Sequence, residues 1–226
     1  MKALPANGAP LVRRFRLRHL FVLVLVAGSA AAGADLSPAE SKLVAGLRFD
    51  PGLMVQVKAV GTALERLEME DGDGNLMAYA GVVLLTPPGK SAISLATVRS
   101  KLARTGYGAW INDNAFGRGP DKIAIMKTRD QYAYLAVAHT DGINWDHTHE
   151  EVVAHYRQWA GKYGLELTGA GLDWLSARFS KPPEDWLAFA REVYKFCPDI
   201  VDQGTNTVEK LADEMRASNE LYLWWD

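Results

Sequence analysis

A chain of 226 residues with 48% hydrophobic and 23% charged residues has a globular composition and enough length for one large domain or two small ones. Its net charge of −2 hides an uneven distribution: residues 1–34 hold five of the 25 Lys and Arg and none of the 27 Asp and Glu, so residues 35–226 carry 20 basic and 27 acidic side chains, net −7. An acidic body repels phosphate backbones, which argues against nucleic acid as a partner, and a single cysteine, Cys197, excludes an intramolecular disulfide.

The first 34 residues read as a secretory signal. Arg13, Arg14, Arg16, Arg18 and His19 form a basic cluster, followed by fifteen uncharged residues from Leu20 to Ala34 that end in small side chains. Cleavage after Ala32 or after Ala34 fits, and the expected location is periplasmic or secreted. The alternative is an uncleaved inner-membrane anchor, the one membrane contact expected of this chain, although a span needs about 20 apolar residues. No cysteine follows the apolar stretch, so lipoprotein processing is excluded.

Downstream, Ser37-Pro38 starts a helix through Gly46, and Met54–Val60 alternates weakly and predicts a strand. Leu64–Glu70 and Leu76–Leu85 flank the turn cluster Asp71-Gly72-Asp73-Gly74-Asn75 and predict a hairpin. Leu95, Val98 and Leu102 predict a helix over Ser94–Thr105; Tyr107–Asn112 and Lys122–Lys127 predict strands, and Arg129–His139 a helix. Thr148 and Glu151 form a capping box for a helix over His149–Lys162, with Val152, Tyr156, Trp159 and Tyr163 on its apolar stripe and Gly164 at its end. Leu165–Gly169 and Trp174–Phe179 predict a strand pair. A helix over Pro183–Phe196, another from an Asn206 cap through Met215, and a strand over Leu221–Trp225 complete the chain. Hairpins mixed with helices, without a βαβ rhythm, predict an α+β fold with a mixed or antiparallel sheet packed against several amphipathic helices. The expected organisation is a signal (1–34), a helix and hairpin region (35–106) and an α+β domain (107–226).

Four stretches carry a resemblance: Asp121–Ile125, Thr140-Asp141-Gly142-Ile143-Asn144-Trp145-Asp146, Phe196-Cys197-Pro198-Asp199-Ile200-Val201-Asp202-Gln203-Gly204, and Leu221-Tyr222-Leu223-Trp224-Trp225-Asp226. Over about residues 107–226 the chain resembles the bacterial family catalogued as domain of unknown function 4253. Trp145 stands where that family suggests Tyr. The resemblance implies a compact bacterial domain and supplies no catalytic residues or cofactor. Its members often look cytosolic, so a signal peptide here departs from the pattern.

Cys197 is the obvious nucleophile, but it ends a predicted helix where the dipole is negative, with Asp199 two residues on, and both suppress a thiolate. A buried, inert thiol is the expectation. Asp199, Asp202 and Gln203 read either as a ligand-binding loop or as braces of a turn. Asp141, Asn144, Asp146, His147, His149 and Glu150 form the densest polar cluster and the best metal candidate. Against it, His149-Glu150-Glu151-Val152-Val153 fails the H-E-x-x-H pattern, and His155 projects from the opposite side of the helix from His149. Asp71, Asp73 and Asn75 mimic the start of a calcium loop, but Leu76 and Val82 occupy the positions that need Gly and Glu.

Six of seven tryptophans lie after residue 140. Trp224 and Trp225 alternate on a strand, so one faces inward and the other can mark a surface. These residues predict a non-enzymatic exported protein without a cofactor. It would bind an unknown protein or small ligand through Asp141, Asn144, Asp146, Asp199, Asp202, Gln203, Trp224 and Trp225. The alternatives are a metal-assisted hydrolase using His147 and His149 with Asp141 and Asp146, and an immunity or toxin-neutralising protein, which an acidic surface suits.

Overall fold

Two capped helices open the part of the chain, residues 35–70 and 74–226, that the computed structural model describes. Helix α1 (Pro38–Gly46) starts with a reciprocal capping box: Glu40 N donates to the Ser37 hydroxyl and Ser37 N donates to the Glu40 carboxylate. Helix α2 (Pro51–Lys58) replaces the strand expected over Met54–Val60. The Asp50 carboxylate accepts Leu53 N at 2.9 Å, Pro51 occupies the first turn, and Met54 and Val57, three apart, bury the same face. A short apolar run fits both periods, and the Asp-Pro start decides between them.

The hairpin forms as expected from β1 (Ala63–Glu70) and β2 (Leu76–Thr86). Residues 71–73, and with them the calcium-like loop start at Asp71 and Asp73, lie outside the described residues, as do residues 1–34. Helix α3 (Ser91–Lys101) begins three residues earlier than its apolar spacing suggests. Its first amides are capped from elsewhere in the fold: buried Asp121 accepts Lys90 N and Ser91 N, both at 2.9 Å. Strands β3 (Gly108–Asp113) and β4 (Asp121–Met126) and helix α4 (Gln131–Ala138) follow.

Helix α5 (His149–Tyr163) has the expected Thr148–Glu151 capping box and ends at Gly164, whose φ is 59°. Strands β5 (Leu165–Ala170) and β6 (Trp174–Phe179) match expectation. Helix α6 (Trp186–Phe196) starts after Pro183 because Asp185 supplies the cap, accepting Ala188 N at 2.9 Å. A π-helical turn over Ile200–Thr205 ends at Asn206, whose φ is 66°. Asn206 is therefore not the cap of the last helix, α7 (Val208–Ser218); the Thr207 hydroxyl is. Strand β7 (Glu220–Trp224) closes the chain.

The fold is α+β, with one mixed seven-stranded sheet in the order β1-β2-β4-β3-β5-β6-β7. Every neighbouring pair is antiparallel except β3 and β5. That parallel seam joins two antiparallel halves and registers one residue pair, Ile111 with Gly169. Side chains complete it. Arg99 of α3 donates to Ala109 O (2.9 Å) on β3 and Leu167 O (2.6 Å) on β5. Buried Tyr134 of α4 donates to Ile111 O and Ala170 O, and the Gln131 amide bonds Leu165 O and Leu167 N. Backbone groups that a regular ladder would pair are thus satisfied by side chains.

Helices α4–α7 cover one face across the whole sheet, in a core that includes Leu67, Val83, Ala124, Leu167, Leu175 and Leu223. Helices α1–α3 cover the other face over β1, β2, β4 and β3, in a second core with Leu64, Val82, Ile111 and Ile123. Among the described residues no helix covers that second face of β5, β6 and β7. Strand β6 accordingly alternates, with Leu175, Ala177 and Phe179 buried under the helices and Trp174, Ser176 and Arg178 on the helix-free side.

Candidate functional site

The three motifs that dominate the C-terminal sequence meet in space, and they meet to build structure. Asp199 is 3% exposed. Its Oδ2 accepts Trp145 Nε1 at 2.7 Å and Asp226 N at 3.0 Å, and its Oδ1 accepts Gln203 Nε2 at 3.1 Å. One carboxylate therefore ties the turn at Ile143–Trp145, the segment after α6 and the last residue. Burial alone would raise its pKa, but these three hydrogen bonds outweigh burial and hold the carboxyl below its ordinary range.

Trp225 is 2% exposed and lies in the core, not on a binding surface. Strand alternation puts it with Leu221 and Leu223 under the helices, where its ring meets Phe196 edge-on at 5.8 Å. Gly142 rests on the indole: a Cβ there would stand 2.9 Å from two ring atoms. The Trp225 Nε1–H has no hydrogen-bond acceptor among the described residues, a cost of about 1–3 kcal/mol that the aromatic packing must outweigh.

The other predicted surface residues have modest roles. Asp141 Oδ1 accepts Ile143 N at 3.3 Å and shapes its own turn. Asn144 and Asp146 are exposed, and Asp146 has a φ of 57°. Exposed Asp202 accepts the Tyr194 hydroxyl at 3.0 Å.

The two histidines turn to different partners. His147 Nε2 lies 3.1 Å from Phe196 O, and its ring stacks on Phe196 at 4.5 Å. His149 Nδ1 lies 3.0 Å from Thr140 O, and its ring stacks on His139 at 4.7 Å. A carbonyl only accepts, so those ring nitrogens carry the protons and are lost to metal binding. Among the described residues no group of three or more His, Cys, Asp and Glu is placed to hold a metal ion. The convergence that the hydrolase alternative requires is not present. Cys197 is fully buried and donates to Trp224 O at 3.0 Å; burial pushes its thiol up to about 12, with Asp199 adding to the rise.

Sequence reasoning missed a cavity of about 720 Å³ on the helix-free side of β5–β7. Its floor carries Thr168, Trp174, Ser176, Tyr222 and Trp224, one wall is α3 with Leu95 and Arg99, and Phe116 sits at its rim, 76% exposed. Trp174 is the registered partner of Trp224, and its ring stacks with Tyr222 at 6.2 Å. Glycines make room for the Trp174 ring, since a Cβ on Gly169 or Gly171 would collide with it. The Thr168 and Ser176 hydroxyls bond each other at 2.8 Å, and Arg178 pairs with Glu220 at 2.8 Å. The available signal was three aromatics, Trp174, Tyr222 and Trp224, at the polar positions of alternating strands. Trp224 is thus the one predicted site residue that lines the cavity.

Neither curated proteins nor solved structures return a match to this chain. A family model does match residues 122–226, which run from β4 to the end of β7 and carry the cavity floor, whereas α3 and Phe116 lie before them. By that match, residues 122–226 belong to the family described as Domain of unknown function (DUF4253).

Proposed function

We propose that this chain is a small-molecule binding protein whose site is the cavity on the helix-free half of the sheet. One observation carries the reading: Trp174, Tyr222 and Trp224 share the floor of an enclosure whose 720 Å³ is a typical ligand volume. Three large aromatics placed where strand alternation calls for polar side chains cost solubility unless something covers them. The non-enzymatic part of the proposal draws on Cys197, whose protonated thiol points to a backbone carbonyl, and on His147 and His149, each committed to one.

The test is a ligand-observed NMR screen of small fragments against the full chain and its Trp224→Ala variant. The expected result is a set of fragments that compete with one another and lose binding in the variant. Fragments that bind the variant equally well, or a screen with no hits near Trp224, would overturn the reading. Export through residues 1–34 is part of the proposal; protein recovered from the cell envelope should begin at Gly33 or Asp35. Among the described residues no helix is long and apolar enough to cross a membrane.

A further inference from the structure

Resting on the cavity reading above, we infer that the ligand is an organic cation, an ammonium or guanidinium group on an apolar body, seated on Trp174, Tyr222 and Trp224 with its charge toward Asp173. Aromatic faces carry negative quadrupole charge and hold desolvated cations well, best of all on tryptophan. Trp174 and Trp224 oppose each other across β6 and β7, with Tyr222 diagonal to Trp174 on the same face. Gly169 and Gly171 leave the Trp174 ring room to pack against the backbone, and a packed ring loses less entropy on binding.

The charges around the floor favour the same class. Two arginines line the cavity, one neutralised by an ion pair and the other, still charged, anchored to backbone carbonyls. Arg178 pairs with Glu220, and Arg99 gives its Nε and Nη2 hydrogens to Ala109 O and Leu167 O. At the tryptophan end stands Asp173, beside Trp174 in sequence and without an ion pair among the described residues. Its proton affinity is raised first by burial and then by the nearby charges of Asp226 and Asp141, although its own backbone amide opposes the rise. A cation bound there relieves that repulsion, whereas an anion adds to it. A neutral sugar would need several hydroxyl partners, and of the two hydroxyl hydrogens that Thr168 and Ser176 offer on the floor one is already used between them.

The test titrates the full chain with choline and with the uncharged alcohol in which carbon replaces its nitrogen, reading by NMR the Trp174 indole N–H, which every variant below retains. Choline should bind about five- to thirtyfold more tightly than the alcohol. Asp173→Asn should weaken choline about fivefold and leave the alcohol unchanged. Trp224→Ala should abolish both, and Trp224→Leu, which keeps apolar packing and so guards against misfolding, should remove the preference for charge. Equal binding of both probes, lost together in Trp224→Ala, overturns the cation inference and leaves the cavity reading standing. Binding by fragments but by neither probe does the same. Silence from both probes and from the fragment screen overturns both. A dimer by sedimentation that Trp224→Ala dissociates would put a second copy of the chain on this face in place of a cation.

Discussion

Asp199 offers the sharpest test of what the C-terminal motifs do. Asp199→Ala removes an acceptor that serves Trp145 Nε1, Asp226 N and Gln203 Nε2. Hydrogen bonds to a charged acceptor contribute about 1.5–3 kcal/mol each when the donor is otherwise stranded. Here Trp145 is 42% exposed and Gln203 is exposed, so their donors regain water and each loss falls to about 1 kcal/mol. The expected total is about 3 kcal/mol. Asp199→Asn should behave differently. Its amide oxygen can keep Trp145 and Asp226, and Gln203 can rotate its own amide to accept from the new NH₂ group. All three bonds survive, and only their charge reinforcement is lost, about 1 kcal/mol. Urea unfolding at pH 7, followed by tryptophan fluorescence, measures both variants. The corresponding fall in melting temperature is about 2–4 °C per kcal/mol for a chain of this size. An Ala variant that costs less than about 0.5 kcal/mol would refute the role of Asp199 as the tie between the three segments. Equal costs for Ala and Asn would show that charge, and not the count of acceptors, stabilises the junction.

Two further outcomes follow from buried titratable groups. Burial alone would raise the Glu40 carboxyl, but the Lys58 ammonium at 2.6 Å, the amides of Leu64 and Ser37 and the Ser37 hydroxyl together lower it to about 2. A folded value below the unfolded one contributes stability that is fully present above about pH 5 and lost as pH falls towards 2. The shift corresponds to at most about 3 kcal/mol, which solvent screening at the edge of α1 trims towards about 2 kcal/mol. Urea midpoints at pH 7 and pH 3 should converge between the wild type and Glu40→Gln as pH falls; parallel curves would contradict the assignment. The Cys197 thiol, raised to about 12, should resist a thiol-specific disulfide reagent at pH 8 in the folded protein and react at once in urea, and fast modification of the folded chain would show that it is open to solvent.

Much of the architecture was legible because its signals are local. The Ser37 and Thr148 caps, the hairpin of β1 and β2, the stripe of α5 and the closing strand each depend on residues close in sequence. Helix α2 was misread because Met54–Val60 is too short for its period to be decisive, and the start of α3 because its cap, Asp121, lies 30 residues away from Ser91. The candidate surface divided for the same reason. Whether Asp199 braces or binds depends on Trp145 and Asp226, which reach it only in the folded chain. The cavity is the extreme case. Each of its aromatics sits at a position that sequence alternation marks as outward-facing, but whether outward means solvent or a pocket depends on where α3 and Phe116 come to rest. The sequence by itself determined the stripe of α5, the Ser37 and Thr148 caps and the acidic balance, because these depend on neighbours along the chain and on composition. Tertiary structure alone decided that α1–α3 cover only half of the second face, because that depends on how many helices the sheet must share between its two sides.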